Sequence, residues 1–114
     1  MSLSDIVSTR SLRFVALGDS YTIGTAVDQA SERWPDRLVA ALGTRPAALE
    51  LVANLAVNGF TSRDVIEAEL PQVPALRPDF ASLLIGVNDV VQGVSPDAYR
   101  TNAAGILDTL LGLL

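Results

Sequence analysis

Three short, almost wholly apolar runs alternate with stretches of helical spacing, and that order leaves few folds open to this chain. The first run, Leu12 to Leu17, is partly aromatic and β-branched and stops at Gly18. It reads as a buried strand ending in a turn. Ser31 to Leu42 follows as a predicted helix, with Pro35 near its start, Leu38, Val39 and Leu42 on one face, and Gly43 as terminator. The second run, Leu49 to Val57, breaks at Asn58-Gly59. Thr61 with Asp64 forms a capping-box pattern for a helix reaching Leu70, whose inner face is Val65, Ile66 and Leu70. Pro71 to Pro78 holds three prolines and reads as a turn-rich connection to the third run, Phe80 to Val87. Ser95-Pro96 pairs an N-cap with a first-turn proline. From there a helix is predicted to Leu114, with Tyr99, Ala103, Ile106, Leu107, Leu110, Leu111 and Leu114 at helical spacing.

Strands without a polar face, alternating with amphipathic helices, predict a parallel sheet covered on both faces and joined by right-handed crossovers. The expected organisation is a disordered lead-in over residues 1–10, then a single domain over 11–114. Three strands make a small sheet for this class, and the last helix ends on apolar Gly-Leu-Leu. The chain is therefore expected to be the N-terminal portion of a longer α/β domain.

Composition removes several functions. With no cysteine there are no disulfides, thiolate metal sites or cysteine nucleophiles. With no histidine there are no imidazole ligands, and the commonest general base at neutral pH is absent. No metal site and no cofactor are expected. All eight basic residues are arginines and the net charge is −5. No basic patch suggests a nucleic-acid partner. No apolar run reaches the roughly 18 residues of a membrane span, and no export signal opens the chain, so the expected location is cytoplasmic. Gly18-Asp19-Ser20-Tyr21 contains one glycine and the chain no lysine, which disfavours a phosphate-binding loop and with it a nucleotide module.

In an open parallel sheet, chemistry collects at the carboxyl ends of the strands. Ser20 follows the first run after a glycine that permits a sharp turn. It is a candidate nucleophile with a neighbouring N–H for an oxyanion, or part of a plain Gly-Asp-Ser turn. Gly59 follows the second run, where its N–H can approach a ligand closely, or it completes an ordinary Asn-Gly turn. Asn88 follows the third, as an amide donor to developing negative charge or as a capping residue. Asp19 and Asp89 read as supporting residues, with Asp89 bracing its loop. Trp34 either lines a cleft or staples its helix to a neighbour. Arg63 either meets an anionic group or lies on a solvated helix face.

Taken together, Gly-Asp-Ser-Tyr after the first strand, a glycine after the second and Gly-x-Asn-Asp after the third resemble the GDSL family, also called SGNH hydrolases. The resemblance runs from about Leu12 to Tyr99. It implies a flavodoxin-like three-layer α/β/α sandwich, cut to about three strands. It also implies acyl transfer from a small-molecule ester or thioester, with Ser20 as nucleophile. The oxyanion hole would be the Ser20 N–H, the Gly59 N–H and the Asn88 side chain. The family's Asp-x-x-His segment, which supplies the base and its orienting acid, has no counterpart in these residues. The chain alone is accordingly expected to be nearly inactive, and the alternative is a degenerate, non-catalytic SGNH-like binding module. Family strand order places the third strand at a sheet edge. Its apolar faces then predict edge-to-edge self-association or pairing with a missing C-terminal segment.

Overall fold

A computed structural model describes residues 11–45 and 48–114; the expected lead-in over 1–10 lies outside them. In chain order the elements are β1 (Leu12–Gly18), α1 (Ser20–Ile23), a 3₁₀ turn (Ala30–Glu32), α2 (Trp34–Leu42) and β2 (Leu49–Asn54). A helical run over 62–76, α3, comes next, then β3 (Phe80–Leu84), α4 (Val87–Val91) and α5 (Pro96–Leu113). The strands form one parallel sheet in the order β2-β1-β3.

β1 is the centre of the molecule, and its side chains show the period of two that a pleated strand imposes. Val15 and Leu17 point to one side and pack with Val65, Leu70 and Val73 of α3 and with Ile106 and Leu110 of α5. Phe14 and Ala16 point to the other side, joining Leu49 of β2 and Trp34, Leu38, Val39 and Leu42 of α2. All four β1 side chains are fully buried. Both faces of the sheet are thus covered, giving the three-layer α/β/α arrangement. Between Phe14 and Val15 the register with β2 slips, so that Leu51 and Ala53 oppose consecutive β1 residues. Such a bulge bends a strand locally.

Several boundaries differ from the sequence expectation. The first long helix starts at Trp34, not Ser31, because Arg33 is extended (ψ 143°) and Pro35 fits only the first turn, where its missing N–H is not needed. β2 stops at Asn54, short of Val57. The Asn54 side chain accepts from the Ala56 N–H and donates to the Thr22 carbonyl, drawing the chain out of the ladder. Leu55 and Val57 still donate to the Ala16 and Gly18 carbonyls. The proline-rich stretch is helical to Leu76, since Pro71 and Pro74 each fall in the first turn of their own short segment. β3 ends at Leu84, and Val87 already opens α4. Only part of the predicted α5 stripe is covered: Ile106 and Leu110 are buried, whereas Leu107, Leu111 and Leu114 are 50%, 72% and 50% exposed. The short helices α1 and α4 have no counterpart in the sequence expectation.

Candidate active site

Parallel strands bring all three carboxyl ends to one end of the sheet, and the three polar clusters meet there. β1 delivers the turn that carries Ser20. At Gly18 a side chain has no room: a Cβ would stand 2.5 Å from the Leu84 carbonyl oxygen and 2.8 Å from Thr22 Oγ1. The backbone can therefore pass tightly under the end of β3 only without one. Asp19 is buried and caps α1, its Oδ1 accepting from the Tyr21 N–H at 3.0 Å. That bond leaves the Ser20 N–H without an acceptor among the described residues. The Ser20 hydroxyl likewise has no hydrogen-bond partner among them. Ser20 lines a cleft of about 360 Å³ with Tyr21, Thr25, Ala26 and Asn58.

The second cluster reaches this cleft through Asn58. Gly59 follows Asn58 with φ +84°, a left-handed conformation that favours glycine, and no atom lies within 4 Å of where its Cβ would be. Its N–H is uncommitted among the described residues, whereas the next one, of Phe60, closes a turn on the Val57 carbonyl. The third cluster is tied directly to the second. The Asn88 side-chain amide donates to the Phe60 carbonyl at 2.9 Å. One N–H of that amide is thus fixed next to Gly59, and the other has no acceptor among the described residues.

Asp89 is buried and committed to Ser62. Its Oδ1 accepts from the Ser62 N–H at 2.8 Å and its Oδ2 from the Ser62 hydroxyl at 2.6 Å. Asn102 of α5 in turn donates to Ser62 Oγ at 3.1 Å. The side chain therefore locks α4 to the start of α3. Trp34 packs on Phe14 with ring centroids 6.3 Å apart and donates to Thr22 Oγ1, which makes it a staple between α2 and α1. Arg63 pairs with Glu67 at 2.8 Å on an exposed helix face.

Glu69 is a member of this region that the sequence reading passed over. It is wholly buried, and its Oε1 accepts from the Gly18 N–H at 2.9 Å. A signal for it existed. Val65 and Glu69 stand four residues apart, so the carboxyl falls in the middle of the predicted inner face of Val65, Ile66 and Leu70. Burial pushes this carboxyl up from 4.5 to about 7; the Gly18 N–H pulls it down, and the Asp19 and Asp64 carboxylates add to the rise.

No helix among the described residues is long and apolar enough to cross a membrane. A family profile, that of the GDSL-like Lipase/Acylhydrolase family, matches residues 16–113. No curated protein matches the chain. Among solved structures, AlinE4, an esterase of the SGNH-hydrolase family, is 32% identical with a TM-score of 0.71, over 90% of this chain and 54% of its own. TesA gives 24% and 0.78, over 89% of this chain and 55% of its own. The psychrotrophic esterase EstA from Pseudoalteromonas sp., in a structure inhibited by monoethylphosphonate, gives 20% and 0.71, over 90% and 55%. These last two likenesses speak for the fold alone. The chain spans about half the length of each of these structures. The profile match, extending from the middle of β1 to the end of α5, shows that the chain belongs to the GDSL-like lipase/acylhydrolase family.

Proposed function

We propose that this chain carries the nucleophile and the oxyanion donors of a hydrolase acting on small-molecule esters or thioesters. Ser20 Oγ attacks the acyl carbon, its proton passes to a base, and the carbonyl π electrons move onto oxygen. The Ser20 N–H, the Gly59 N–H and the Asn88 amide receive that oxyanion. Collapse expels the alcohol or thiol, which takes the proton, and water then hydrolyses the acyl-serine by the same route. The observation that carries this reading is the open Ser20 turn, whose cleft reaches Asn58, together with the Asn88 amide anchored to the Phe60 carbonyl next to Gly59. Asp19 and Asp89 support the site through the turn and the α3–α4 contact and take no part in the chemistry.

The chain contains no histidine. In this reading the base comes from outside these residues, and the chain by itself turns over very slowly. Free imidazole can stand in for the missing side chain. Hydrolysis of p-nitrophenyl acetate by the purified protein should rise with imidazole beyond the buffer reaction, and Ser20→Ala should abolish that excess. Equal imidazole-dependent rates for the two proteins would overturn the assignment. That result would favour the second reading, motivated by the absent histidine: a non-catalytic binding module on the same fold.

A further inference from the structure

Beneath the Ser20 turn lies a carboxyl that acyl transfer does not use. Glu69 is 0% exposed. Its Oε1 holds the Gly18 N–H at 2.9 Å, while its Oε2 is buried without a hydrogen-bond partner among the described residues. It sits at the end of a five-residue π-helical segment, Val65–Glu69, set between the capped first turn of α3 and the Leu70–Gln72 turn. A π segment widens the helix locally and is a frequent companion of functional sites.

The Gly18 peptide is held from three sides. Glu69 takes its N–H, the Val57 N–H donates to its carbonyl at 3.3 Å, and the Leu84 carbonyl closes over its Cα. Gly18 precedes Ser20 by two residues, so whatever fixes this peptide also sets where the Ser20 turn leaves the sheet. The structure assigns Glu69 as a positioning residue for Ser20, acting through the Gly18 amide from below the cleft. Its meaning for catalysis rests on the reading of Ser20 as nucleophile; the hydrogen bond and its hold on the turn do not.

This contact depends on pH. With its proton, Glu69 offers Gly18 a neutral acceptor. Without it, the acceptor is a carboxylate, and such charge-assisted bonds are shorter and about twice as strong. The charged groups acting on it are Asp19 on the turn and Asp64 at the first turn of α3, both carboxylates; β1 contributes the Gly18 N–H. Burial and these two neighbours place the changeover at about 7. The turn is therefore held more firmly above neutrality than below it.

Amide NMR of the purified protein tests this directly. The Gly18 amide proton should move downfield as pH rises, with a midpoint near neutrality, and the Ser20 and Tyr21 amides should follow with the same midpoint. Glu69→Gln keeps an acceptor oxygen but cannot ionise, so the Gly18 resonance should stay in place across the range. A Gly18 amide that ignores pH, or one that still titrates in Glu69→Gln, overturns the assignment. In the imidazole-assisted assay, Glu69→Gln should lower kcat about fivefold above neutrality, as expected for exchanging a charged acceptor for a neutral one. KM should be unchanged, and the step in the kcat profile should vanish. If the amides titrate but no Ser20-dependent hydrolysis exists, Glu69 still positions the turn and the hydrolase reading fails. If hydrolysis requires Ser20 but the amides do not titrate, the hydrolase reading stands and Glu69 has no positioning role.

Discussion

Replacing Glu69 by glutamine should change how stability depends on pH, and the sign follows from burial. The folded chain binds the Glu69 proton more tightly than the unfolded chain, since the carboxyl rises from 4.5 to about 7 on folding. Stability from this group is therefore complete below about pH 4.5, declines above it, and is gone once pH has passed about 7. At ~1.4 kcal/mol per pH unit, the interval corresponds to on the order of 3 kcal/mol, of which ~2 kcal/mol falls between about pH 5 and pH 8. Other carboxylates titrate in acid and blur the curve of the native protein alone. The difference between native and Glu69→Gln proteins isolates this one group. Urea unfolding followed by Trp34 fluorescence suits the measurement, because Trp34 packs on Phe14 in the core. Relative to Glu69→Gln, the native protein should lose ~2 kcal/mol from pH 5 to pH 8 with an unchanged denaturant slope. A difference curve flat to within ~0.5 kcal/mol, or one rising with pH, would refute the account of a desolvated carboxyl.

The two glycines of the site should respond differently to alanine. Gly18→Ala forces a Cβ to 2.5 Å from the Leu84 carbonyl, so a loss of ~3 kcal/mol or failure to fold is expected. Gly59→Ala meets no atom within 4 Å, so only the left-handed backbone strain of ~1 kcal/mol remains; the reverse order in urea melts would contradict the packing. Asp89→Asn takes a charge from a buried pair of hydrogen bonds to Ser62 and should cost about 1–3 kcal/mol, against no change if Asp89 were solvated. Among the described residues the outer edge of β3 has no strand beside it, and Phe80 and Leu84 are 42% and 47% exposed. Sedimentation velocity should show concentration-dependent self-association that Leu84→Lys weakens; a monomer at every concentration would count against it.

Much of the architecture was readable because β1 obeys two simple rules at once. Its run from Leu12 to Leu17 has no polar face, which is what a central parallel strand with helices on both sides requires. What misled the boundaries was local chemistry that periodicity does not encode. Asn54 sits inside an apolar run and looks like part of the strand, yet its side chain takes over backbone partners and ends the ladder. The prolines at 71 and 74 look like helix breakers, but each falls where a new short segment begins and its N–H is not missed. The α5 stripe was overcounted for another reason. A helical period says which side chains share a face but not whether anything covers that face, and Leu107, Leu111 and Leu114 stand largely open.

The site divides in the same way. Ser20, Gly59 and Asn88 could be proposed from the sequence because each follows the end of a strand, and a parallel sheet gathers those ends whatever lies between them. Their supports were harder to see, because they depend on contacts over long sequence separations. Asp89 reaches Ser62 across 27 residues, and Glu69 reaches Gly18 across 51. Glu69 marks the sharper case. A carboxylate on the apolar arc of a helix conflicts with the pattern around it, and a buried acid is costly unless something compensates. Only one of its two oxygens has a partner among the described residues, and that partner is the peptide N–H at the base of the Ser20 turn. An apolar residue at 69 would remove the cost of burying a carboxyl, but it would leave the Gly18 N–H buried with no acceptor. The fold thus sets the burial of one carboxyl against the satisfaction of one amide, and the position of that amide makes the exchange a matter for the site as well as for stability.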